Sequence, residues 1–172
     1  MVSDGTGAHG SITRPAGPVV VGVDGSPGAM RALAWAAGEA RIRGAILDVV
    51  HVSTFRHEAS ETLAPGILAD EMKVLERAVT RAKELESGVV VRGRVCDPPT
   101  ARALIDASRG AEMLVVGSRG LSGVKELALG SVSRECAHRA QCPVVVIPPE
   151  VAVSPPSPLA SGPARPEDPA DG

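Results

Sequence analysis

The chain has 172 residues, of which 44 % are hydrophobic and 22 % charged, with one tryptophan (Trp35), one phenylalanine (Phe55) and no tyrosine. Two aromatic rings and a formal net charge of −2 argue against nucleic-acid platforms built on base stacking and give no bulk attraction to DNA, RNA or an anionic membrane. Three cysteines (Cys96, Cys136, Cys142) with no C-x-x-C pair and no adjacent histidine cluster exclude a disulfide framework and a zinc site. No apolar run nears the roughly 20 residues of a membrane span. The opening MVSDGTGAHGSITRP lacks the basic and apolar stretches of a secretory leader, so a cytoplasmic protein with no membrane or nucleic-acid partner is expected.

Residues 1–17 are rich in Gly, Ser and Thr without periodicity, and a disordered extension is expected there. Pro18–Asp24 (PVVVGVD) is a β-branched run of the kind buried on both faces of a parallel sheet. Asp24-Gly25-Ser26-Pro27 reads as a turn leading into a helix, with Ser26 as N-cap and Pro27 at the first helical position. The helix over 28–43 places Met30, Leu33, Ala34, Ala37 and Ala40 on an apolar stripe and stops at Gly44. Ile46–Val52 is a second strand, in which His51 is expected to point into helix packing. Ser53–Pro65 is a polar loop, where His57 has the position of a lid residue. Ile67–Leu85 carries Leu68, Met72, Leu75, Val79 and Ala82 at amphipathic spacing.

Val89–Val95 is a third strand and Thr100–Arg109 a short helix with Ala101, Leu104 and Ile105 on one side. Met113–Gly117 is a fourth strand. Ser131–Ala140 is a helix using Val132, Cys136 and Ala140, with Cys136 in the core, and Pro143–Ile147 is a fifth strand. Pro148–Gly172 holds eight of the fifteen prolines, so a disordered tail is expected over 149–172. Its Pro155-x-x-Pro158 spacing suits a polyproline reader or a solvated tail alike. Alternating strands and helices over 18–148 predict one α/β domain, a doubly wound five-stranded parallel sheet with helices on both faces. Its ligand crevice belongs beyond the carboxyl ends of the strands, where strand order reverses.

After strand four come Gly117, Gly120, Gly123 and Gly130, then Ser131 and Ser133 opening a helix. Glycines allow close backbone approach, and a helix N-terminus with adjacent hydroxyls attracts anions, so this stretch suits phosphate. Neither a Walker loop nor G-x-G-x-x-G is present; Lys125 sits within the loop and is expected in solvent, while Arg119 suits a phosphate contact or a solvated loop position equally.

The spacing G-x2-G-x9-G-[ST] of Gly117, Gly120, Gly130 and Ser131 resembles the ATP-binding loop of the universal stress protein family. Val23-Asp24-Gly25-Ser26, Val50-His51-Val52, Val115–Gly120 and Cys142–Ile147 resemble the same family in order and position, so the likeness spans 18–148. It implies a Rossmann-like, adenine nucleotide alpha hydrolase-like sheet of order 3-2-1-4-5 that binds ATP, with Mg. In that arrangement Asp24, next to Val23, meets the ribose or a divalent cation, and Val52 flanks the adenine. Val116 and Gly117 line the near wall, Gly120 admits the phosphates, and Gly130, Ser131, Val132 and Ser133 hold them.

No catalytic residue is assigned; Glu126 and Glu135 lie near the loop without the placement of a base. The expected function is that of a nucleotide-dependent regulatory module in a stress response, with a protein partner unnamed by the sequence. The alternatives are a slow ATPase or self-phosphorylating enzyme using Ser131, Ser133 or a serine of 118–122, and a dimeric interaction module without nucleotide. The flat, uncharged edge of Pro143–Ile147 predicts a homodimer through this strand, and the family likeness implies the same.

Overall fold

The computed structural model describes residues 17–55, 65–120 and 129–149, with 65–68 described in backbone only. Both tails, with Pro155 and Pro158, lie outside the described residues, as do His57, Lys125 and Glu126. Five strands, β1 (Val19–Val23), β2 (Leu47–Val52), β3 (Val91–Cys96), β4 (Met113–Gly117) and β5 (Val144–Ile147), form one parallel sheet in the order β3-β2-β1-β4-β5. Helices α1 (Pro27–Arg43), α2 (Pro65–Leu85), α3 (Thr100–Ala107) and α4 (Ser131–Arg139) alternate with them.

Two-residue alternation divides the core. Val19, Val21, Val23, Leu47, Val49, Met113 and Val115 pack with α1 and α2 on one face. Val20, Val50, Leu114 and Val116 pack with Leu104 of α3 and Cys136 of α4 on the other. The central strands thus bury both faces, which is why they read as unbroken apolar runs. Strand β1 lies between β2 and β4, so strand order reverses between β1 and β4. The sheet's two edges differ in chemistry. Edge strand β3 exposes Arg92 and Arg94, whereas edge strand β5 is entirely aliphatic and half-buried.

Capping explains the limits of α1. Ser26 Oγ accepts the amide of Ala29 at 3.2 Å with Pro27 following. At the other end Gly44 takes φ 61°, letting the Ala45 amide reach back to Ala40 O at 2.9 Å. The buried stripe of α1 is Ala29, Ala32, Leu33, Ala36, Ala37 and Ala40, while Ala34 is exposed and Met30 half-buried. In a run so rich in alanine, composition does not distinguish the inner side from the outer.

Helix α2 begins at Pro65, two residues earlier than its periodicity indicates. It buries Leu75, Ala78 and Ala82 with Val79 half-buried, and leaves Met72 41 % exposed. The side chain of Leu68 lies outside the described residues. Strand β3 starts at Val91 because the Val89 amide closes a turn onto Glu86 O at 3.1 Å. Helix α3 ends at Ala107, beyond which the Ser108 amide bonds back to Leu104 O at 3.0 Å. Pro143 precedes β5, having no amide to donate, yet its carbonyl accepts from the Leu114 amide at 2.9 Å.

Leu33 is fully buried in the α1–sheet interface. Leu33→Ala should cost about 2–5 kcal/mol in chemical denaturation, whereas Met72→Ala on the exposed side of α2 should change stability by less than about 0.5 kcal/mol.

Candidate functional site

A cleft of about 550 Å³ opens where β1, β2 and β4 end, bounded by the N-terminal turns of α3 and α4. This is the range of small-molecule sites, about 300–1,000 Å³, and it lies at the reversal of strand order, where such folds bind ligands. Val23, Asp24, Val52, Val116, Gly117, Gly120, Gly130, Ser131, Val132 and Ser133 all line it. Its apolar lining includes Val50, Val52, Val116 and Leu104. Leu104 lies over Gly22, where a Cβ would stand 3.0 Å from Leu104 Cδ1.

The start of α4 also lines the cleft. Its N-cap is Gly130, with no side-chain capping bond and no acidic residue in the first turn. The Arg134 amide makes the first helical bond, to Gly130 O at 3.0 Å. The amides of Ser131, Val132 and Ser133 therefore have no intrahelical acceptor and stand at the positive end of the helix dipole. Ser131 is exposed beside them. Ser133 differs: it is buried, and its hydroxyl is placed to donate to Ser118 O and Gly130 O, each at 3.1 Å. Its proton serves the loop, which leaves its amide for the cleft.

The glycines bring protein against protein. A Cβ on Gly117 would lie 3.0 Å from the Gly28 carbonyl carbon, and one on Gly130 would lie 3.2 Å from Ser118 O. Gly120 faces Asp24, where a Cβ would stand 2.6 Å from Oδ2. Asp24 Oδ1 accepts the Ser26 amide at 2.9 Å, so the carboxylate closing β1 also shapes the turn into α1. The loop is tied back twice more, by the Gly130 amide to Ser118 O at 2.7 Å and the Ser118 amide to Ile147 O at 2.8 Å.

Several lining residues went unassigned in the sequence. Thr100 and Leu104 come from α3, which follows the edge strand β3 rather than a central one. Arg134 also lines the cleft and is exposed; Arg119, for which a phosphate contact and a solvated position were equally open, lines it too. Cations are disfavoured in the first turn of a helix, so Arg134 in that position was a legible signal of anion chemistry.

His51 shares the α1–α2 face with Val49 by alternation. Its Nδ1 donates to Val23 O at 2.9 Å, a carbonyl partner that fixes the proton on Nδ1, and Nε2 is buried with no hydrogen-bond partner among the described residues. Cys136 is fully buried, and burial pushes its thiol up to about 11. Among the described residues no cluster of three His, Cys, Asp or Glu side chains suits a metal ion, and no helix is long and apolar enough to cross a membrane.

The rim at β2 is held by Glu71 of α2. Its carboxylate accepts Ser53 Oγ at 2.5 Å and the Thr54 amide at 2.7 Å, and Ser53 Oγ in turn accepts the Phe55 amide at 3.0 Å. Burial pushes the Glu71 carboxyl up, but the hydrogen bonds from Ser53 and Thr54, helped by His51, together bring it below its ordinary value of 4.5. A depressed carboxylate contributes stability above the unfolded value and loses it as pH falls through the folded one. Glu71→Gln should therefore flatten part of the stability loss seen below pH 4.5 in acid titrations followed by denaturation.

A doubly wound parallel sheet with an amide-rich cleft at its reversal point is the architecture of a nucleotide-binding α/β domain. The family model of the Universal stress protein family matches residues 16–148, and the chain belongs to that family. Universal stress protein Rv2005c of Mycobacterium tuberculosis is 37 % identical over 135 residues, which cover 75 % of this chain and 44 % of that protein. Rv2623 of the same organism is 33 % identical over 153 residues, 80 % of this chain and 49 % of that protein. The chain thus spans about half the length of these curated relatives. A solved universal stress protein in complex with cAMP superposes with a TM-score of 0.64 at 28 % identity, covering 78 % of this chain and 98 % of that one. The universal stress protein of Archaeoglobus fulgidus in complex with dAMP gives 0.61 at 26 %, covering 78 % and 99 %.

Proposed function

We propose that this chain binds ATP, with Mg, in the cleft and acts as a nucleotide-dependent regulatory module of a stress response. The observation that carries the reading is the start of α4, where three amides without intrahelical acceptors or a side-chain cap open into a cavity of about 550 Å³. Family membership and the adenine nucleotides bound by solved relatives support it.

The apolar lining of Val52, Val116 and Leu104 suits a base, and the amides of 131–133 with the Ser131 hydroxyl suit phosphates. Arg134 adds a cation at the rim, where an additional phosphate gains most from a charge-assisted bond. Asp24 would hold the ribose or the cation, and the metal would offset phosphate charge. Binding is favoured over turnover on the cleft's own residues. Asp24 is its only acidic side chain among the described residues and already accepts the Ser26 amide; His51 has Nδ1 committed to Val23 O. The protein answers its ligand by a change in partner choice, and the nucleotide-bound and free forms differ in affinity for a protein partner.

Purified protein, denatured without added nucleotide, should release near-stoichiometric ATP or, if empty, bind ATP with magnesium in calorimetry. A chain that does neither, and ignores AMP and cAMP as well, overturns the reading. Arg134→Gln should weaken ATP about tenfold and AMP much less, as loss of one charge-assisted phosphate contact predicts.

We also propose a homodimer paired through β5 in a cytoplasmic setting, supported by its aliphatic, uncharged edge. Light scattering at micromolar concentration should give twice the chain mass; a monomer there overturns it.

A further inference from the structure

We propose that Gly120 is a positioning residue whose missing side chain makes room for the Asp24 carboxylate, so that the two form a clasp between the glycine loop and the end of β1. The proposal rests on the reading of the cleft as a nucleotide site and changes the reason for one of its glycines, from space for phosphate to space for a protein carboxylate.

Backbone conformation does not require glycine at 120. The described glycines with positive φ are Gly25, Gly44 and Gly110. Sterics do require it. A Cβ at 120 would stand 2.6 Å from Asp24 Oδ2, well inside contact distance, and 3.8 Å from Asp24 Cγ. Among the described residues outside its chain neighbours no third atom comes within 4 Å, so there the demand comes from Asp24 alone. A free carboxylate could swing aside, but this one is held: Oδ1 accepts the Ser26 amide at 2.9 Å, and Ser26 Oγ caps α1 through the Ala29 amide. A methyl group at 120 must therefore either push the loop off β1 or turn the carboxylate and break the bond to Ser26. The clasp joins three segments that meet at the cleft: the end of β1, the start of α1 and the glycine loop. Gly120 thus acts on the ligand through Asp24, by fixing where that carboxylate stands.

A double-mutant cycle tests this, with AMP and ATP affinities measured by calorimetry and Tm by scanning calorimetry on the same four proteins. Gly120→Ala should weaken nucleotide binding about tenfold and lower Tm, while the same change in an Asp24→Ala background should alter affinity by less than about twofold and leave Tm unmoved. In an Asp24→Asn background, where the amide fills the same space, the Gly120→Ala penalty should return. Equal penalties with and without the Asp24 side chain overturn the clasp, because they assign the space to the ligand. If the wild-type chain binds no adenine nucleotide, the proposed function fails, and the Tm cycle still decides the clasp.

Discussion

Strand β1 has a strand on each edge and helices over both faces, and its valines are almost wholly removed from water. A strand so enclosed satisfies its backbone through β2 and β4, and at Asp24 its chain must leave between two neighbours that diverge in chain order. The crevice is the geometric result of that exit. The first side chain beyond the ladder is a carboxylate, and it is bound at once into the turn that starts α1. Burial of β1, capping of α1 and closure of the glycine loop are thus successive parts of one arrangement, which is why the cleft is largely preformed by the fold.

The loop follows from the same constraint. Gly117 comes against Gly28 at the start of α1, and Gly130 against Ser118, so loop backbone packs directly on backbone. The close approach brings the start of α4 to the crevice with its amides uncapped. Ser133 spends its hydroxyl on Ser118 and Gly130 and so holds the first turn of α4 to the loop. The anion site proposed there would need this kind of fixed support, since backbone donors have no side-chain freedom with which to adjust.

Much of this was legible in the chain. Strands buried on both faces leave continuous apolar runs, and Ser26-Pro27 and Gly44 mark the ends of α1 in residue types that have few other uses there. Three kinds of information were not. Alanine carries no sign of which way it faces, so Ala34 and Ala36 could be exchanged in a reading of α1. Thr100 and Leu104 reach the cleft only because α3 crosses above Gly22, a tertiary fact with no local signature. The motif glycines show that something must come close but not what: for Gly120 the neighbour is Asp24, nearly a hundred positions away in the chain. The ligand proposed for the cleft likewise rests on the cleft's chemistry and on relatives rather than on spacing alone.

The two edges of the sheet are chemically unequal, with arginines along β3 and aliphatic residues along β5. A sheet that can add a strand on one side only cannot grow as a polymer. In the homodimer proposed through β5, the arginines of β3 would stand at both outer flanks of the joined sheet, and the aliphatic edge would be used up in a single joint.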